Sequence, residues 1–159
     1  MVRKVTCIII CCFVSAGAWA QAGEDDYRKM MKEGYRYLRL FQAANAREQF
    51  VGAAQIAQTF DNKSLYAVSL MGVSQATWYA GNFHQAADTM KPALQYLNTA
   101  DTGYRVSAWR ILSNIYDDIG DYVNAFKAVQ QALTINKGYD QLNEQLALIQ
   151  MGKLYKNIG

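Results

Sequence analysis

The stretch that decides the fold runs from Trp109 to Leu133 and reads WRILSNIYDDIGDYVNAFKAVQQAL. In its first half, apolar side chains recur every three or four residues, which is the spacing of one helix face. Gly120 then interrupts the pattern, as a glycine commonly does just after a helix, and Asp121 is a residue type that caps the start of the next one. The stretch therefore predicts two amphipathic helices joined by one tight turn.

The same pattern recurs along the chain with a period of 39 to 40 residues. A small residue occupies one position of the first helix in every copy, and alanines occupy two positions of the second helix. A small side chain lets two antiparallel helices approach closely, and each hairpin leaves an apolar face that the next can cover. The small residues are Gly34, Ser74, Ser113 and Gly152, and the alanine columns are Ala46, Ala86, Ala125 and Ala53, Ala93, Ala132.

No segment alternates with a period of two for long enough to predict a strand, so the chain is predicted to be all-helical. The first helix is expected from about Glu24 to Leu40, and the last from Gln141 to Asn157. The third and fourth are expected at 65–79 and 83–97, with a loop at 98–103 before the fifth. Pro92, the only proline, is expected to bend the fourth helix.

The third copy resembles the tetratricopeptide repeat (TPR), through Trp109, Leu112, Ser113, Tyr116, the turn Gly120-Asp121-Tyr122, Ala125 and Ala132. The resemblance covers residues 23–159 and implies an all-α, right-handed α-solenoid of antiparallel helix pairs with about seven helices. The repeats fall at about 27–62, 67–101 and 106–138, with a half repeat at 145–159. The period exceeds the usual 34 residues of this family. In the first copy, Leu40-Phe41-Gln42-Ala43 also replaces the Gly-Asn-Phe turn of the second.

The half repeat has two interpretations. Leu148, Met151, Gly152 and Tyr155 repeat the first helix of a fourth unit, whose second helix is absent from the sequence. Polar residues on this helix favour a solvated cap, as the terminal repeat of a solenoid requires. The alternative is that the chain is a fragment whose parent continues.

The N-terminal residues 1–22 have the pattern of a secretory signal peptide: Arg3 and Lys4, an apolar run, and then small residues with cleavage near Ala20 or Ala22. The apolar run is shorter than the roughly 20 residues that a spanning helix needs, which makes a retained anchor the weaker interpretation. A lipoprotein would be acylated at Cys11 or Cys12, but the usual small residue before the cysteine is missing. We therefore predict an exported protein, periplasmic or secreted, with no permanent membrane span and no cysteine after cleavage.

The sequence offers little support for an enzyme. His84 is the single histidine and has no nearby ligand partner for a metal site. Asp117 and Asp118 are adjacent, which turns them about 100° apart on a helix and suits paired acid/base chemistry poorly. No phosphate-binding glycine loop is present. The net charge of +3 falls to +1 without Arg3 and Lys4, so nucleic acid is not an expected partner. No metal, cofactor or catalytic residue is predicted.

The resemblance implies that the first helix of each pair lines a concave face that holds an extended peptide or a partner helix. Tyr35, Trp78 and Tyr79 are candidate anchors there, although aromatic residues of this kind also pack between repeats. Arg110 and Asn114 resemble the start of a carboxylate clamp, which the charges of Asp117 and Asp118 would oppose. The predicted partner-binding residues are Arg28, Met31, Tyr35, Arg39, Met71, Gln75, Trp78, Tyr79, Arg110, Asn114 and Asp117, and the same register adds Leu38, Val68, Lys153 and Lys156.

Two functions remain open at this point. The first is a non-catalytic scaffold module that binds a protein or peptide outside the cytoplasm. The second is the extracytoplasmic input region of a larger signalling protein, such as a sensor histidine kinase. The oligomeric state is not specified by the sequence.

Overall fold

A computed structural model of the chain describes residues 23–158, which form seven helices and no strand. The predicted signal peptide, residues 1–22, and Gly159 lie outside the described residues. The prediction of an all-helical solenoid is confirmed. The helices are α1 over residues 23–39, α2 Ala43–Thr59, α3 Lys63–Tyr79, α4 Phe83–Tyr96, α5 Thr102–Ile119, α6 Tyr122–Asn136 and α7 Gln141–Ile158.

Helix bounds differ from the sequence prediction by a few residues at most of the ends compared. The third helix begins at Lys63, because the Asn62 side chain accepts a hydrogen bond from the Leu65 amide and so caps it two residues early. The predicted loop at 98–103 is shorter than expected, since α5 already begins at Thr102. Pro92 lies inside α4, as predicted.

Each second helix packs between two first helices. Helix α4 lies against α3 and α5, and α6 lies against α5 and α7. The first helices also touch one another, α3 with α5 and α5 with α7. The alanine columns make this close packing possible, because all six alanines are fully buried: Ala46, Ala53, Ala86, Ala93, Ala125 and Ala132.

The small residues of the first helices act in two ways. Ser74 and Ser113 are fully buried, and each hydroxyl donates a hydrogen bond to a carbonyl oxygen of the second helix, at Ala86 and Ala125. Gly34 instead makes room for the fully buried Phe50 of α2. A Cβ added at Gly34 would stand 2.6 Å from the nearest atom of the Phe50 ring. Serine thus ties two helices together, whereas glycine admits an aromatic ring.

The turns between paired helices place one residue in the left-handed region. Gly81 and Gly120 do so at φ of 81° and 84°. In the first pair, which lacks the glycine, Phe41 takes the same position at φ 57°. The turn geometry of the repeat is therefore retained without its usual residue. None of the helices in residues 23–158 is both long and apolar enough to cross a bilayer.

Candidate functional site

A groove of about 430 Å³ lies between the first helices α1, α3 and α5. Seven of the eleven predicted partner-binding residues line it, and Leu38 and Ile111 complete it. Three helices that are far apart in sequence thus contribute to one surface, because the repeat sets their neighbouring positions in space. The seven are Tyr35, Arg39, Gln75, Trp78, Tyr79, Arg110 and Asn114.

The other four predicted residues lie elsewhere. Met31 and Met71 are buried in the core, where Met31 sulfur accepts a hydrogen bond from the Ser69 hydroxyl at 3.8 Å. Arg28 is exposed and forms a 2.6 Å ion pair with Glu24, one turn earlier on α1. Asp117 is buried against α7.

Aromatic side chains form one wall of the groove. Tyr35 packs edge-on against Phe50, with ring centroids 5.0 Å apart. Burial raises the pKa of Tyr35 to about 12, so its hydroxyl stays protonated and can donate a hydrogen bond at neutral pH. Trp78 and Tyr79 lie edge to face at 5.4 Å, and 51% of Tyr79 is exposed. The wall therefore offers apolar area together with polar tips.

Arg110 is the unusual residue of the groove. It is half-buried, its Nε is buried without a hydrogen-bond partner, and burial lowers the pKa of its guanidinium. Neither Arg110 nor Arg39 takes part in any of the ion pairs found within residues 23–158. A buried donor without an acceptor costs free energy, which a ligand carbonyl or carboxylate would recover. The groove is therefore chemically suited to an acceptor group.

The two carboxylates that argued against an anion are engaged by other side chains. Asp117 forms a 2.7 Å ion pair with Lys153 and accepts a hydrogen bond from Asn157 at 2.9 Å. Asp118 accepts a 2.7 Å hydrogen bond from the Trp78 indole nitrogen. Their opposition to a bound carboxylate is correspondingly weakened by pairing and by fixed donors.

The α7 network around Asp117 also determines the protonation of that carboxyl. Burial acts to raise the pKa of Asp117, but hydrogen bonds from Lys153 and Asn157 outweigh it and hold the pKa below its usual value. Gln150 contributes a longer hydrogen bond at 3.4 Å. Sequence reasoning placed Lys153 on the groove. The signal for this pairing was the spacing of Lys153 and Asn157, which lie one turn apart on α7.

No other arrangement among residues 23–158 suggests catalysis. His84 is exposed on α4, and no group of His, Cys, Asp and Glu in this part of the chain is arranged to hold a metal ion. Ile111, which lines the groove, was missed by sequence reasoning because a buried isoleucine is most often a core residue.

Comparison with known proteins supports the fold. No protein-family model matches the sequence, and no curated protein matches it. Solved structures do match. A TPR-like protein from Chlorobium tepidum aligns with a TM-score of 0.71 at 15% identity, covering 88% of this chain and 99% of that one. The TPR domain of Arabidopsis FLU gives 0.66 at 18%, covering 73% and 98%. The Sgt2 TPR domain from Aspergillus fumigatus gives 0.62 at 18%, covering 84% and 82%. The chain thus has the tetratricopeptide-repeat fold.

Proposed function

We propose that this tetratricopeptide-repeat fold is a non-catalytic scaffold whose groove binds an extended protein segment. The observation that carries the proposal is the convergence of side chains from α1, α3 and α5 on one groove, where aromatic, amide and unpaired cationic groups face the same space. Such a mixture supplies anchors for apolar side chains and hydrogen bonds for a backbone.

The chemistry of the groove favours a segment that carries a carboxylate next to an aromatic or large apolar residue. Arg39 and Arg110 supply positive charge that no ion pair of the described chain neutralises. Gln75 and Asn114 supply amides that can both donate and accept, as a peptide backbone requires. Trp78 and Tyr79 supply the apolar surface.

We further propose that the protein acts outside the cytoplasm. The support is the sequence of residues 1–22, with its basic start, short apolar run and small residues before Ala20 or Ala22. Mass spectrometry of the protein purified from its native host tests this proposal. An N-terminus near residue 21 or 23 is expected, and an intact N-terminus at Met1 would contradict export by cleavage.

Selection from a displayed library of linear peptides, followed by fluorescence polarisation with the selected sequences, tests the groove. We expect selected peptides to contain Asp, Glu or a free C-terminus near an aromatic residue. Trp78→Ala and Arg110→Gln should each weaken binding at least tenfold, since anchors at an interface centre typically contribute more than 1.4 kcal/mol. Tyr104→Ala is the matched control, because Tyr104 is equally exposed but lies outside the groove. Undiminished binding by both groove variants would refute the assignment.

A further inference from the structure

The last helix carries an apolar face that nothing in the described chain covers. Leu148 is 52% exposed and Tyr155 is 65% exposed, although both are large side chains. Gly152 lies between them, and a Cβ added there would meet no atom within 4 Å. The opposite face of α7 is well packed, with Ala147 and Leu154 fully buried. We name Leu148, Gly152 and Tyr155 the open face of α7.

The open face matches a surface that is covered in every preceding repeat. Its equivalents in α5, 39 residues earlier, are Trp109, Ser113 and Tyr116. Ser113 is fully buried there by α6, to which it is hydrogen-bonded. Trp109 and Tyr116 are only partly exposed. The open face therefore continues the established interface between the two helices of a pair, and its natural complement is another helix.

The glycine at the centre of the open face specifies the shape of that helix. Where the small residue is serine, the equivalent core position of the second helix holds Met90 or Val129. Where it is glycine, at Gly34, that position holds Phe50, which comes four residues after Ala46. The space at Gly152 therefore corresponds to the space that admits an aromatic ring in the first pair.

We propose that the open face of α7 binds, in trans, an amphipathic helix of a partner protein that carries a small residue and, four residues later, an aromatic one. The helix lies antiparallel to α7 and takes the place of the second helix of a fourth pair. Lys156 is exposed one turn after Gly152 on the same side of α7, so acidic residues near the start of the partner helix complete the match. This surface is separate from the groove, and the proposal does not depend on the groove's ligand.

A peptide from this chain provides the probe. Residues 42–60, labelled with a fluorophore and added to the unlabelled full chain, present Ala46 and Phe50 in the required spacing. We expect saturable binding by fluorescence polarisation, and a Phe50→Ala peptide should bind at least tenfold more weakly. Gly152→Leu in the protein should also weaken binding at least tenfold, because its side chain fills the space for the ring. Tyr155→Ala is a second variant that removes contact area without adding bulk.

The same experiment separates the proposal from its alternatives. Gly152→Leu is expected to fold normally, since the site is open, and circular dichroism checks this. Trp78→Ala serves as the control, because a groove residue should leave binding unchanged. The absence of binding would overturn the proposal. So would binding that survives Gly152→Leu, because the peptide would then be displacing α2 from its own site. A dimer that Gly152→Leu dissociates, seen by analytical ultracentrifugation, would assign the face to a second copy and overturn the proposal as well.

Discussion

The Ser113 hydroxyl donates a 2.9 Å hydrogen bond to the carbonyl oxygen of Ala125, and both residues are fully buried. One repeat earlier, Ser74 makes the same bond to Ala86 at 2.7 Å. The bond joins the two helices of a pair at the point where they approach most closely in sequence register. It explains how serine can occupy the small-residue position: the side chain is short enough to fit, and its polar group is satisfied inside the core.

Ser113→Ala removes this bond with little change in volume. We expect the free energy of unfolding to fall by about 0.5–1.5 kcal/mol, the usual net contribution of one buried hydrogen bond. Urea denaturation followed by circular dichroism measures the change. Thr89→Ala is the control, because the Thr89 hydroxyl bonds only to Gln85 of its own helix and should matter less. Equal effects of the two substitutions would show that the Ser113 bond does not join the helices energetically.

Gly34→Ala and Gly72→Ala both place a methyl group against the Phe50 ring, at 2.6 Å and 2.4 Å from its nearest atoms. We expect each to destabilise the protein by about 1–3 kcal/mol, because overpacking a tight core forces its neighbours out of position. Gly152→Ala is the matched control. It adds a methyl group in open space and replaces a helical glycine, so it should be neutral or stabilising by up to about 1 kcal/mol.

The cause of that destabilisation is tested by shrinking the ring. If the Phe50 contact is responsible, Phe50→Leu should reduce the cost of Gly72→Ala when the two are combined, as a double-mutant cycle measures. Strict additivity of the two substitutions would contradict the contact as the cause.

The sequence predicted the helix pairs because the signals for them are local or periodic. Gly120 marks its turn by itself, and the recurring small residues mark the close approach of each pair. The depth of a groove residue was harder to predict. Met31, Met71 and Arg110 occupy the same repeat position, but the two methionines are buried and Arg110 is half-buried. Helical register gives the side of a helix, whereas burial depends on how far the next repeat covers it.

Asp117 illustrates the same difficulty with charge. The sequence placed it on the groove, next to Asp118, but Lys153 and Asn157 of α7 bind its carboxylate. The partner residues lie 36 and 40 positions away, so no local pattern contains the pair. The contact follows from how α7 stacks on α5, and that arrangement is known only from the structure.

Asp117→Asn should abolish a pH-dependent part of the stability. The pKa of Asp117 is lower in the folded chain than in the unfolded one, so its contribution is present above the unfolded pKa of about 3.8 and is lost as pH falls through the folded pKa. We expect wild type and Asp117→Asn to differ most at pH 7 and to converge below pH ~3. Urea titrations from pH 7 to pH 2.5 measure this. A difference that stays constant over the whole range would contradict the ion pair with Lys153 as its cause.

Phe41 should prefer glycine to alanine, the reverse of an ordinary helical position. It has φ of 57° and is 82% exposed, and its ring lies 6.3 Å from that of Tyr79. Phe41→Gly and Phe41→Ala both lose this ring, but only glycine tolerates the left-handed conformation without strain. We expect the glycine variant to be more stable by about 1 kcal/mol in thermal or urea unfolding. An alanine variant of equal or greater stability would show that the turn relaxes to another conformation.

Arg110→Met should separate stability from binding. The substitution removes a half-buried charge whose Nε has no partner and fills the repeat position with the residue that it already holds at Met31 and Met71. We expect the free energy of unfolding to stay the same or rise by about 1 kcal/mol, since an unsatisfied buried donor is costly. Binding of a carboxylate-bearing peptide should fall at least tenfold, because its acceptor loses its cationic partner. Urea denaturation and fluorescence polarisation on the same preparation measure both quantities. A variant that is markedly less stable would show that the guanidinium stabilises the free fold, and its retention could then be explained without any ligand.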